Sequence, residues 1–91
     1  MNGLSIFVKL TDGSEHTLKL TPRTLVGFEQ KFQKGFAKAL DDSKFEHIYW
    51  LAWTSLRSAG IVVKPFGDGF FDDLEEARLV ADENLESTET A

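Results

Sequence analysis

The chain has 91 residues, 42% of them hydrophobic, no cysteine and a formal net charge of −5. That length suits one small domain. The lack of cysteine excludes a disulfide framework and thiolate metal sites, and no window approaches the roughly 18 apolar residues of a membrane span. The charge is uneven: Asp72 to Ala91 holds eight acids and one base, net −7, whereas Met1 to Phe71 holds nine bases and seven acids, net +2. Negative charge gathered at one end argues against nucleic acid as the main partner. The first residues, MNGLSIFVKL, have no basic leader and no long apolar run, so they read as structure and point to a cytoplasmic location.

Leu4 to Leu20 reads as a β-hairpin. Leu4, Ile6, Val8 and Leu10 alternate with other residues at the period of a half-buried strand, and Asp12-Gly13 marks the turn. A two-residue loop would place the apolar rows of the two strands on opposite faces. A three-residue loop, Thr11-Asp12-Gly13, ends in a left-handed glycine and pairs Leu10 with Ser14, Val8 with His16, Ile6 with Leu18 and Leu4 with Leu20. The aliphatics then share one face, so this register is the expected one. Phe7 is left on the outer face, available to another element or another subunit.

Thr21-Pro22 is a helix start, with Thr as N-cap and Pro at the first helical position. The helix is expected to run to about Leu40, with Leu25, Phe28, Phe32, Phe36 and Ala39 as its apolar stripe and Leu40 at the edge. Gly35 costs about 1 kcal/mol against alanine there, and marks either a close helix approach or a weak point. Arg23, Lys31, Lys34 and Lys38 form a basic ridge on one flank, and Glu29 borders the apolar face. The ridge is a solvated face or a docking strip for an acidic tail.

A second, central helix is predicted over Phe45 to Gly60. Ser43 is its expected N-cap, Glu46 its capping-box partner and Gly60 its left-handed C-terminal residue. At 100° per residue, Phe45, Ile48, Tyr49, Ala52, Leu56 and Ala59 share one face. Trp53 flanks that face. Trp50 points elsewhere, among Glu46, Thr54 and Arg57, as a contact residue or as packing for the C-terminal segment. Trp53 and Arg57 stand at i and i+4, a spacing that permits a cation–π contact.

Ile61 to Pro65 is β-branched and short, and can add a third strand to the hairpin. Phe66 to Gly69 reads as a loop, with Asp68 capping a short last helix that carries Phe70, Phe71 and Leu74. Residues 81–91 are acidic and polar, an expected disordered tail. The fold class is therefore α+β: an N-terminal hairpin packed on two main helices plus a short C-terminal helix, one domain over residues 1–80.

No constellation nominates catalysis. His16 and His47 lie on different elements without a spaced carboxylate cluster, and no serine or threonine sits in a nucleophile context. Gly67-Asp68-Gly69 lacks the remainder of a phosphate loop, and Asp68, Asp72, Asp73, Glu75 and Glu76 do not match calcium-loop spacing. Neither an enzyme activity nor a cofactor or metal is expected.

The order of motifs does carry a resemblance. A hairpin with Asp-Gly at its turn leads to Leu25-Val26-Gly27-Phe28-Glu29, then Trp50-Leu51-Ala52-Trp53 with Leu56-Arg57 and a glycine, then Phe66 followed by Phe70-Phe71-Asp72-Asp73-Leu74-Glu75. Over residues 4 to 80 this resembles the small tail assembly chaperones of long-tailed, siphovirus-type bacteriophages. Gly67-Asp68-Gly69 departs from the pattern in being richer in glycine. The resemblance implies a non-enzymatic factor in virion morphogenesis. Such a factor binds the tape measure protein, keeps it soluble, recruits major tail protein to the growing tube and self-associates as a homo-oligomer. It implies a place in the host cytoplasm and absence from the mature virion, with no membrane or nucleic-acid partner. Some members are made in two lengths by a programmed frameshift. The residues expected to carry protein contacts are Phe7, Trp50, Trp53, Arg57, Phe70 and Phe71, with Lys31, Lys34 and Lys38 for an acidic partner. The competing readings are a structural or connector protein of the virion and an acidic inhibitor of a host protein.

Overall fold

The computed structural model describes residues 4–42 and 44–81, the side chain of Leu40 excepted. The Ser43 cap, the edge role of Leu40 and the tail from Asp82 onward lie outside the described residues.

Two antiparallel strands, β1 (Leu4–Leu10) and β2 (Glu15–Lys19), form the hairpin. Its register is the one that unites the apolar rows: Ile6 faces Leu18 and Val8 faces His16. The Leu20 N–H donates to the Leu4 carbonyl, and Leu10 N–H to that of Ser14. Gly13 has φ +94°, which a side chain would resist. Asp12 Oδ1 accepts from the Ser14 N–H at 2.8 Å and from its hydroxyl at 2.7 Å, closing the turn. Both bonds favour the ionised carboxyl and hold its pKa below 3.8.

Helix α1 (Pro22–Phe32) starts where expected, with the Thr24 N–H donating to Thr21 Oγ1. It does not reach Leu40. Gln33 turns left-handed at φ 56°, and a separate helix α2 (Phe36–Asp42) follows. Glu29, placed by the sequence at the border of the apolar face, accepts the Phe36 N–H at 2.9 Å. A carboxylate from the last turns of α1 thus satisfies an orphan donor at the start of α2. The break lets Phe28, Phe36 and Ala39 reach one core from two directions; Phe28 is 0% exposed and Ala39 2%.

Helix α3 (Phe45–Ser58) is the central helix, and Gly60 follows it at φ +84°. Its N-cap is Lys44, with no side-chain bond. The buried residues are His47, Leu51, Ala52, Ser55 and Leu56. This face is turned by roughly 60° from the most apolar one, at 100° per residue. Phe45 and Ala59 are exposed, and Tyr49 is half-buried. Two polar residues, His47 and Ser55, take core positions instead; His47 Nδ1 and Ser55 Oγ have no hydrogen-bond partner among the described residues.

The third strand is not Ile61 to Pro65, which runs extended without joining the sheet. It is β3 (Leu74–Ala81), reached through a short helix α4 (Asp68–Asp73). Gly67, and not Asp68, is the N-cap of α4, and Leu74 belongs to the strand. β3 pairs antiparallel with β1, placing Leu79 beside Ile6 and Arg78 beside Phe7, with a bulge at Lys9/Leu10. The sheet order is therefore β2-β1-β3, with β1 in the middle. Ile6 and Val8, both 0% exposed, close one core with Phe28, Leu51, Leu56 and Phe70. The architecture is α+β, a three-stranded antiparallel sheet with its hairpin packed on helices.

Candidate protein-interaction surface

Aromatic rings form a connected belt around α3. From α1, Phe28 and Phe32 meet Trp50 at centroid distances of 6.1 and 5.9 Å. Trp50 meets Trp53 at 6.5 Å, and Trp53 meets Phe66 at 5.6 Å. Phe66 touches Phe70 and Phe71, Phe71 meets Tyr49 at 6.0 Å, and Tyr49 stacks on Phe45 at 5.8 Å and 20°. Rings at these separations gain about 0.5–1.5 kcal/mol per pair beyond burial. The belt is internal at one end and exposed at the other.

Both tryptophans lie toward the internal end. Trp50 is half-buried, packed against Phe28 and Phe32 of α1 on one side and lining a surface groove with Arg23, Gly27 and Thr54. Its Cη2 lies 3.5 Å from where a Cβ at Gly27 would be, an ordinary contact distance. Gly35 has nothing within 4 Å of such a position. Trp53 donates its indole N–H to the Lys64 carbonyl at 2.9 Å and lies under the Arg57 guanidinium at 4.8 Å. It thereby ties the extended 61–65 segment to α3. Phe70 is 1% exposed and is core, not contact surface. Phe7 sits on the outer sheet face, half-buried, with the Arg78 guanidinium 4.7 Å above its ring. The neighbour expected for Phe7 is thus supplied by β3.

The outward end is Phe45 and Phe71, with half-buried Tyr49 between them. Phe45 is 72% exposed and Phe71 38%. The sequence expects Phe71 as a contact residue, whereas it places Phe45 and Tyr49 on one helix face with Ala52 and Leu56, of which only the latter two are buried. The apolar character of Phe45 and Tyr49 is real; the helix simply buries a neighbouring face. Beside Phe45, a groove of about 210 Å³ opens between α2, α3 and β3, with Lys44 on its wall.

The basic ridge is divided by the break after α1. Arg23 and Lys31 stay on α1, while Lys34 binds Asp42 at 2.6 Å. Lys38 and Lys44 add their charges to Lys34 in holding the Asp42 carboxyl below the ordinary value of 3.8, the hydrogen bond from Lys34 being the largest cause. The lysines are therefore regrouped at the α2–α3 corner. Among the described residues no cluster of three His, Asp or Glu could hold a metal ion, and no helix is long and apolar enough to cross a membrane. Comparison with known proteins found no matching family model, no matching curated protein and no matching solved structure.

Proposed function

We propose that this protein is a non-enzymatic tail assembly chaperone of a long-tailed bacteriophage. It binds the tape measure protein in the host cytoplasm, keeps it soluble, self-associates, and hands it to major tail protein as the tube forms. The order and spacing of the sequence motifs support that reading. The observation that carries it is the run of rings Phe45–Tyr49–Phe71, in which exposed Phe45 stacks on half-buried Tyr49 of α3 and Phe71 of α4 lies tilted beside them.

A tape measure chain is rich in amphipathic helix and aggregates when its apolar faces meet. A holder must cover such faces with many weak contacts and release them later. Aromatic side chains suit that task, since each offers a large contact area with few rotatable bonds. Two rings spaced i, i+4 form a ridge along α3 against which another helix can lie. The test is co-expression with the tape measure protein, followed by light scattering on the soluble fraction. The expected result is a soluble tape measure that elutes with this chain. A tape measure that stays insoluble beside an inert monomer contradicts the reading.

A further inference from the structure

A second groove, of about 370 Å³, runs between α1 and α3, and its lining includes Arg23 and Gly27 of α1 and Trp50, Thr54, Arg57 and Ser58 of α3. Two of its lining side chains are guanidiniums and none is a carboxylate. Both arginines are exposed, and neither is in an ion pair with a described residue. Thr24 shares the groove with Ser58, whereas Phe32 meets His47 at 4.5 Å, so α1 and α3 run antiparallel. Arg23 and Arg57 therefore stand at the same end of the helix pair. The carboxylates of these two helices are Glu29 and Glu46. Glu29 is committed to the Phe36 N–H. Glu46 stands at the opposite end of the pair, where Lys31 offsets it. The β2–α1 turn brings Lys19 and no carboxylate to the arginine end. Lys64, which borders Arg57 on its other side, is paired with Asp73 at 3.4 Å. Among the described residues the arginine end thus carries surplus positive charge.

The donors there are held in place. The Arg57 guanidinium lies over the Trp53 ring at 4.8 Å, and the Trp53 indole is itself anchored on the Lys64 carbonyl at 2.9 Å. A guanidinium stacked by its face keeps its edge N–H groups for a carboxylate. The hydroxyls of Thr54 and Ser58 can add donors. Half-buried Trp50 offers an apolar contact that a bare anion cannot use. We propose that this groove docks an acidic segment of a partner protein, with one carboxylate on Arg23, another on Arg57 and an apolar side chain between them against Trp50. Nucleic acid would bring phosphates to the same donors, but the chain's net charge of −5 opposes it. The site is separate from the Phe45 strip, since Trp50, Thr54 and Arg57 lie about 120–180° around α3 from Phe45 at 100° per residue. It does not rest on the client-binding reading.

The test is an NMR titration of the full chain with a blocked peptide that carries leucine between two glutamates. Shifts are expected at the amides of Gly27 and Thr54 and at the indole N–H of Trp50. Arg23→Gln and Arg57→Gln should each weaken binding about threefold, the scale of one solvent-exposed ion pair, and the two together about tenfold. Raised salt should weaken it as well. Arg57→Gln also removes the contact over Trp53, so Arg23→Gln, exposed and unpaired, separates lost binding from lost structure, and circular dichroism checks both. Lys38→Gln on α2 and Phe45→Ser should leave binding unchanged. No shift at the groove, or equal binding of a peptide with glutamines in place of the glutamates, overturns the proposal. So does inorganic phosphate producing the same shifts at the same concentration, which would make the groove a simple anion site, or a short oligonucleotide binding more tightly than the peptide. The same shifts appearing on concentrating the protein alone also overturn it, and give the groove to a second copy.

Discussion

Asp42 and its three lysines show how much of this surface depends on single side chains. The Asp42 carboxyl is held down first by the hydrogen bond from Lys34, so Lys34→Ala should move its titration back up toward 3.8, as read by carboxyl-carbon NMR. The linkage sign follows from the lowered folded-state value. The contribution of this pair is present above the unfolded value and is lost as pH falls through the folded one. Both partners reach solvent, so the effect is on the corner's charge and not on global stability. A sharper contrast separates two neighbours in sequence. Phe70 is 1% exposed, and Phe70→Ala should cost about 3–5 kcal/mol in urea denaturation. Phe71 is 38% exposed, and Phe71→Ala should cost about 1 kcal/mol or less while weakening client binding. Sequence alone names both as aromatic and cannot rank them, because their burial is decided by whether α4 turns into a strand.

Among the elements, the hairpin was the most legible. Its register follows from one requirement, that Leu4, Ile6, Val8 and Leu10 share a face with Leu18 and Leu20, and the structure has that register. The helix break at Gln33 was hidden because the spacing of Phe28, Phe32, Phe36 and Ala39 continues through it. What stabilises the break is Glu29 reaching seven residues forward to the Phe36 N–H. Glu29→Ala should therefore cost about 1 kcal/mol, the size of a lost N-cap, with exchange of the α2 amides rising first. The third strand was misplaced for a different reason. Leu74-Glu75-Glu76-Ala77-Arg78-Leu79 has good helix formers, while Ile61-Val62-Val63 has β-branched ones. Pairing with the free edge of β1 overrides both preferences. In α3 the expected face missed by roughly 60°, at 100° per residue, because His47 and Ser55 were scored as polar and Phe45 and Tyr49 as core. That misfit between apolarity and burial is also what exposes the contact surface.

Across the whole molecule, the sheet and helices enclose one core within a radius of gyration of 13.5 Å, and the surplus of aromatic side chains wraps α3. Most of that belt is structural: it joins α1, the 61–65 segment and α4 to the central helix. Only its last three rings, Phe45, Tyr49 and Phe71, reach the surface beside the groove between α2, α3 and β3. In the proposed function this strip holds the client. The most direct measurement compares the soluble yield of co-expressed tape measure protein beside the native chain and beside a Phe45→Ser, Phe71→Ser double variant. Both side chains are exposed, so the variant should keep its circular dichroism spectrum. The expected result is that the tape measure then falls into the pellet and no longer elutes with the chain. A folded double variant that keeps the tape measure as soluble as the native chain does would contradict it.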